Sequence, residues 1–263
     1  MKESFMLLAI DIGNTNTHAA IFQKNKILAE LRFASHRERT PDEVWLYLKS
    51  FFDGKTISVK QIEGVVISSV VPAITEAYSQ ASKLHIHHTP VVVSGILDIG
   101  MAIQYDDPAT LGADRICAAI AAFQRYGGPS IIIDFGTATT FDAVSKKGEF
   151  LGGVIAPGIQ TAATELFRKT SQLTTVPLQF PPNVLGNNTV ACMQSGILFG
   201  AVEATDGMIR RIKRVVGKHA IVVATGGFAS LMSELSHEIK YIQPTLVLEG
   251  ARLIFEHSRR KKK

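Results

Sequence analysis

Residues 5–10, Phe-Met-Leu-Leu-Ala-Ile, are a continuous apolar run that breaks into Asp-Ile-Gly-Asn-Thr-Asn-Thr, the pattern of a buried strand entering a tight polar turn. Alternation follows at His18–Phe22 and again at Ile27–Phe33, with a break at Lys24-Asn25-Lys26, and predicts two antiparallel strands. Thr40-Pro41-Asp42-Glu43 has the cap, first-turn proline and acidic residues of a helix start, and Val44 to Phe52 supply an apolar face. Val65–Val71, stopped by Pro72, and Pro90–Val93 read as further buried strands, with a helix over 73–83 between them. An Ala-rich stretch from Pro108 to Phe123 predicts one long helix with Gly112-Ala-Asp-Arg115 near its start.

The opening pattern then returns. Ser130-Ile-Ile-Ile-Asp134-Phe-Gly136-Thr-Ala-Thr-Thr140 repeats strand, turn and strand at an offset of 123 residues (134 − 11). At that offset Asp aligns with Asp and Gly with Gly, Thr17 meets Thr140, Ala20 meets Ala143 and Leu28 meets Leu151. A single repeat of this length predicts two homologous lobes, since a solenoid needs several copies of a shorter period. Helices over 159–169 and 188–215, a buried strand at Ile221–Thr225 running into Gly226-Gly227, and a last helix from Leu246 to His257 complete the pattern. The fold class expected is α/β, two duplicated lobes with a cleft between them, bounded at 1–117 and 118–258 and followed by a basic tail at 259–263.

Composition changes this picture little. With 263 residues, 46% hydrophobic and 19% charged, the chain buries a sizeable core. The formal charge of +5 equals the contribution of Arg259, Arg260, Lys261, Lys262 and Lys263, so the rest is formally neutral. That run reads as a solvated end; no nucleic-acid-binding motif accompanies it, and nucleic acid is not an expected partner. Cys117 and Cys192 show neither disulfide nor zinc spacing, which fits a reducing, cytoplasmic setting. The Lys2-Glu3 lead is too brief for a secretory signal, and no stretch approaches the roughly 20 apolar residues of a membrane span.

The two turns carry the chemistry. In Asp-x-Gly followed by Thr and Asn, glycine lets backbone amides approach phosphate oxygens and the polar side chains donate further hydrogen bonds. A carboxylate beside a polyphosphate requires a cation between them, so Asp11 and Asp134 argue for metal. One such turn is also ordinary hairpin punctuation, whereas two copies at matching places in two lobes are much harder to dismiss. Neither a Walker A nor a Gly-x-Gly-x-x-Gly fingerprint follows the opening strand.

The pair of turns resembles the two phosphate loops of the actin, Hsp70, acetate kinase and sugar kinase superfamily, and Ala224-Thr-Gly-Gly227 resembles its adenosine-proximal element. The closer resemblance, over nearly the whole chain, is to type III pantothenate kinase. It rests on Asp11–Thr17, Gly112–Arg115, Asp134–Thr140, Leu151-Gly-Gly-Val-Ile-Ala-Pro-Gly158, Asn188-Thr-Val190 with Met193-Gln-Ser-Gly196, and Ala224–Gly227. It implies ribonuclease H-like (actin-like ATPase) lobes, transfer of the ATP γ-phosphate to pantothenate, a homodimer, Mg²⁺ with ATP, and a monovalent cation, K⁺ or NH₄⁺. Asp11, Ile12, Gly13, Asn14, Thr15, Asn16, Thr17, His18 and Thr137 would bind ATP, with Asp11 holding Mg²⁺ through water. Asp134 would bind the monovalent cation. Tyr105, Gly112, Ala113, Asp114, Arg115 and Thr189 would bind pantothenate, Thr189 across the dimer interface, and Asp114 would accept the hydroxyl proton as the catalytic residue.

Read by themselves these residues leave alternatives open. Asp114 lies in an apolar stretch where a charge needs a partner, and Arg115 is adjacent in sequence, but neighbouring helical residues do not face one another. Arg115 also suits a carboxylate ligand, and Asn188-Thr189 is equally a helix cap. A kinase of the same superfamily for another small hydroxy acid, or a nucleotide-binding regulator, remains the alternative.

Overall fold

The computed structural model describes residues 5–261; Lys2 and Glu3 of the charged lead and Lys262 and Lys263 of the basic tail lie outside them. The chain forms two compact units. One runs to Ala121 and takes in the chain from Leu246 onward, and the other is Ala122–Thr245.

In the first unit β1 (Met6–Ile12) is the axis of a five-stranded sheet. It pairs antiparallel with β2 (Asn16–Gln23), which pairs with β3 (Lys26–Ala34), and parallel with β4 (Ile62–Ser69), whose far edge takes the short β5 (Val91–Val92). The unbroken apolar runs of β1 and β4 fit this place, because both strands are covered on both faces. Over one face lie α1 (Pro41–Gly54) and α2 (Pro72–Ala81). The predicted cap of α1 forms: the Glu43 N–H donates to Thr40 Oγ1 and the Glu43 carboxylate accepts the Thr40 N–H. Val44, Leu48, Phe51 and Phe52 then join a core with Leu8, Ile10 and Ile67. Each such side chain contributes about 1.5–3 kcal/mol on burial.

α3 (Ala113–Tyr126) starts later than its composition suggests. Asp107 caps a separate short turn at Pro108–Thr110 by accepting the Ala109 N–H at 3.0 Å, and Leu111 is extended before the helix begins. Asp114 is therefore a first-turn residue, where backbone amides favour a carboxylate. α7 (Leu246–Lys261) packs on β1 and β4. Two glycines permit this approach: a Cβ on Gly250 would lie 1.9 Å from the Cys117 carbonyl oxygen, and one on Gly64 would lie 2.3 Å from the Phe255 ring. The basic run up to Lys261 belongs to this helix, with Arg259 4.3 Å from the centre of the Phe5 ring and Lys261 paired with Asp98. No helix among the described residues is long and apolar enough to cross a membrane.

The second unit repeats the strand order. β6 (Ser130–Phe135) takes the place of β1, β7 (Ala138–Val144) and β8 (Phe150–Pro157) those of β2 and β3, and β9 (Ile221–Thr225) and β10 (Tyr241–Ile242) those of β4 and β5. α4 (Ile159–Lys169), the 28-residue α5 (Thr189–Val216) and α6 (Ala229–Ser233) accompany them.

The constant sequence offset does not survive in the register. Asp11 pairs with His18 and Ile12 with Thr17, whereas Asp134 pairs with Thr140 and Phe135 with Thr139. Thr17 thus corresponds to Thr139, an offset of 122 (139 − 17), and Ala20 to Asp142. The second hairpin is one residue shorter. The following connection restores the residue, since Phe22 pairs with Ile27 and Val144 with Phe150, so Leu28 and Leu151 do coincide, each opposite a register break.

Candidate active site

The first turn hangs from the end of β1. Asp11 is half-buried and its Oδ1 accepts the Ser68 hydroxyl at 3.0 Å from the parallel neighbour β4. Gly13 N–H closes on the Asn16 carbonyl at 3.0 Å, which leaves Asn14, Thr15 and Asn16 exposed. Ile12 and Thr17 are 0% exposed, so their side chains form the base of the turn rather than its surface. The Ile12 carbonyl accepts the Val70 N–H, and the Thr17 hydroxyl is shared with Ser35 at 2.9 Å and Tyr78 at 3.5 Å. Any contact of these two residues with a nucleotide falls to the backbone.

His18, opposite Asp11, is tied to β3. Its Nδ1 lies 3.1 Å from an Arg32 nitrogen and its Nε2 2.9 Å from Glu30. A guanidinium only donates, so Nδ1 is the acceptor and Nε2–H points to Glu30, the neutral form. Burial, then the Arg32 charge, lowers the His18 pKa in agreement with that tautomer.

Asp114, like Asp11, lies near enough to Cys117 for its charge to act on that thiol. Its Oδ1 accepts the Arg115 N–H at 2.7 Å, and a Cβ on Gly112 would lie 2.6 Å from that oxygen, so glycine clears the room for the carboxylate. Burial holds Asp114 above the ordinary carboxylate range, against the opposing pull of the Arg115 N–H and side chain. Arg115 is buried beside Tyr105, 6.0 Å from its ring centre, and Ala113 is buried at the helix start. Cys117, one turn along α3, links the two carboxylates. Its thiol is pushed up first by burial and then by the charges of Asp11 and Asp114, while a hydrogen bond with Ser68 opposes the shift. Ser68 and Cys117 escaped the sequence reading, although two serines in the apolar run Val65–Val71 were a visible signal.

The second unit holds Asp134, Thr137 and Thr189. Asp134 is half-buried against Gly226, where φ is +90° and a Cβ would lie 2.3 Å from the Asp134 Oδ1. Thr140, its cross-strand neighbour, has a buried hydroxyl with no hydrogen-bond partner among the described residues. The turn is tight: Gly136 N–H reaches the Ala138 carbonyl at 3.0 Å. The Thr137 carbonyl accepts from Gly158 N–H at 3.1 Å and the Thr161 hydroxyl at 2.7 Å, which fastens the turn to the start of α4. Asn188 caps α5 through Ala191 N–H at 2.9 Å, so Thr189 is exposed on the wall of a cavity of about 750 Å³ with Phe135, Phe141, Met193 and Met208. Its walls are mostly apolar and include neither Asp11 nor Asp114. No cluster of three or more His, Cys, Asp or Glu suited to a metal occurs among the described residues.

Two duplicated sheets, each with an aspartate at the end of its axial strand, define an α/β protein of the actin-like ATPase and sugar kinase fold. Solved structures agree on that fold. The Acidaminococcus fermentans (R)-2-hydroxyglutaryl-CoA dehydratase component A superposes with TM-score 0.59 at 14% identity, covering 99% of this chain and all of that one. The ROK hexokinase of Thermus thermophilus superposes with TM-score 0.50 at 12% identity, covering 97% and 99%. The sequence narrows the class: the profile of type III pantothenate kinase matches residues 7–211, and the type III pantothenate kinase of Moorella thermoacetica is 44% identical over 96% of this chain and 100% of its own length. The chain belongs to the type III pantothenate kinase family.

Proposed function

We propose that this protein transfers the γ-phosphoryl group of ATP to the primary hydroxyl of pantothenate, giving 4′-phosphopantothenate for coenzyme A synthesis in the cytoplasm. The observation that carries this reading is that Ser68 fixes Asp11 at 3.0 Å on the first turn while Asp114, buried in the first turn of α3, shares with Asp11 the neighbourhood of Cys117. It sets a proton acceptor of raised basicity beside a turn with exposed amide and hydroxyl donors.

In this reading Asn14, Thr15 and Asn16 hold the ATP phosphates by side chain and backbone, with Gly13 allowing close approach. Asp11 holds Mg²⁺ through water, and a lone carboxylate fixed by a serine suits an ion that keeps several waters. Bound with ATP, Mg²⁺ supplies neutralisation of charge on the phosphate oxygens. Arg115 takes the pantothenate carboxylate beside Tyr105, and Asp114 orients the hydroxyl and receives its proton at the carboxylate. Asp134 serves the monovalent cation; the unpartnered Thr140 hydroxyl beside it fits an oxygen-ligated ion.

The functional unit is a homodimer in which Thr189 meets the partner's substrate. Support comes from the apolar cavity at Thr189 and from Leu185, 86% exposed just before it. A single 28.6 kDa species in sedimentation at assay concentration would contradict the dimer.

The test is direct. The protein with Mg²⁺, K⁺ and ATP is offered pantothenate beside a panel of small hydroxy acids, and products are read by mass spectrometry. A phosphorylated product from another alcohol and none from pantothenate overturns the assignment.

A further inference from the structure

A buried cation behind the first turn has no task in the reading above. Arg39, between β3 and α1, is 9% exposed. Its guanidinium carbon lies 4.2 Å from the centre of the Tyr47 ring and 5.2 Å from that of Phe33, two rings stacked 5.0 Å apart. One Nη donates to the Ala34 carbonyl at 3.3 Å. The other is buried without a well-formed hydrogen bond among the described residues, the Tyr78 hydroxyl being its polar neighbour, and Arg39 makes no ion pair among the described residues. Glu43, the acid on which its charge acts, makes no direct contact with it and turns one carboxylate oxygen, Oε2, to the Thr40 N–H and hydroxyl at 2.7 and 2.9 Å. Burying a guanidinium without a counter-charge is costly, and stacking on aromatic rings offsets only part of that cost.

What Arg39 holds is the support of the turn. Ala34 precedes Ser35, whose N–H donates to the Thr15 carbonyl at 2.9 Å and whose hydroxyl meets that of Thr17 at 2.9 Å. Phe33, under the guanidinium, is the cross-strand partner of Thr17. A permanent positive charge in a water-poor setting acts more strongly on nearby charge than a solvated one. We propose that Arg39 is a positioning residue for the nucleotide: it locks the Asn14–Thr17 turn through Ala34 and Ser35, and its charge, engaged in no direct ion pair among the described residues, favours the polyphosphate at that turn.

This rests on the reading of the first turn as the phosphate cradle, and the experiment separates the two. Calorimetry compares Mg·ADP and adenosine binding to the wild type, Arg39→Met and Arg39→Lys, and kinetics give KM for ATP and pantothenate. For Arg39→Met the expected result is about tenfold weaker Mg·ADP binding and a matching rise in KM for ATP. Adenosine binding and KM for pantothenate stay within about twofold. Arg39→Lys, which keeps the charge, recovers most of the loss. Should Arg39→Met not fold, Arg39→Lys decides: Mg·ADP binding within about threefold of wild type supports the charge role, and a tenfold loss with unchanged melting overturns it. Equal losses for ADP and adenosine, or no loss for either, overturn the proposal. A wild type that binds no Mg·ADP removes the cradle and this proposal together, whereas wild-type binding matched by Arg39→Met removes this proposal alone.

Discussion

The turn at Asp11 and the turn at Asp134 stand at the same place in two sheets of the same strand order, yet one is open and the other fastened. The first closes from Gly13 to Asn16 and exposes three polar residues, while the second closes from Gly136 to Ala138 and is bonded through Thr137 to the start of α4. Asp11 leans on a serine, whereas Asp134 leans on a glycine at positive φ with an unpartnered threonine hydroxyl opposite. Duplication of a fold therefore leaves room for division of labour. In the proposed function the open turn would wrap the polyphosphate, and the closed one would hold Asp134 and the Thr140 hydroxyl for an ion.

The largest expected effect lies outside the duplicated part. Asp114→Asn is expected to lower kcat by about 10²–10⁴ while leaving the Mg·ADP dissociation constant within about twofold, since the proposed role of the acid is toward the acceptor and not the nucleotide. A loss of nucleotide binding in this variant would merge roles that are kept apart here. The same carboxylate sets a pH dependence. Its folded pKa is raised, so the acid limb of kcat/KM for pantothenate lies above the range of an ordinary aspartate. The stability that protonated Asp114 contributes is complete below the unfolded pKa and is lost as pH rises through the folded one. Asp114→Asn accordingly melts higher than wild type above that window, measured by calorimetry across pH; an unchanged pH profile of melting would contradict the raised pKa.

Next come the glycines that make the turns differ. Gly226→Ala forces a methyl group into the Asp134 carboxylate at a φ of +90° and costs about 2–3 kcal/mol of stability. Gly13→Ala meets only the Asn16 carbonyl at 3.1 Å and costs under about 1 kcal/mol, with its main effect on KM for ATP. Denaturant melts of the two variants rank them, and equal losses would erase the contrast between the turns.

The smallest effect is at Thr140. Thr140→Val removes a buried hydroxyl that has no partner, so stability stays level or rises by up to about 1 kcal/mol while the K⁺ concentration for half-activation shifts. A clear loss of stability with unchanged K⁺ response would show that the hydroxyl serves the fold and not an ion.

Much of this was legible in the chain. The apolar runs of β1, β4, β6 and β9 announce strands buried on both faces, and the Thr40–Glu43 cap announces α1 through local chemistry alone. The Asp11 and Asp134 turns and Gly112–Arg115 were visible as polar breaks in apolar patterns. Three things were not. The helix start at Ala113 was hidden because alanine lies on both sides of it, and it takes the Asp107 cap to set off a separate turn at Pro108–Thr110 and the extended Leu111 to end that turn. The match of Thr17 to Thr139 was hidden because the residue missing from the β6–β7 hairpin is restored in the β7–β8 connection, which keeps the offset of 123 on both sides. Ser68 and Cys117 meet Asp11 only through the fold, and Arg39 contacts local residues whose link to the Thr15–Thr17 turn comes from strand pairing, so no short motif marks their part in the site.

The division of labour itself is tested by titrating Mg²⁺ and K⁺ separately against pantothenate phosphorylation by Asp11→Asn and Asp134→Asn. The account predicts crossed defects: Asp11→Asn demands more Mg²⁺ and ATP while keeping its response to K⁺, and Asp134→Asn becomes indifferent to K⁺ while keeping its response to Mg²⁺. Parallel defects, with both variants losing both responses equally, would contradict it.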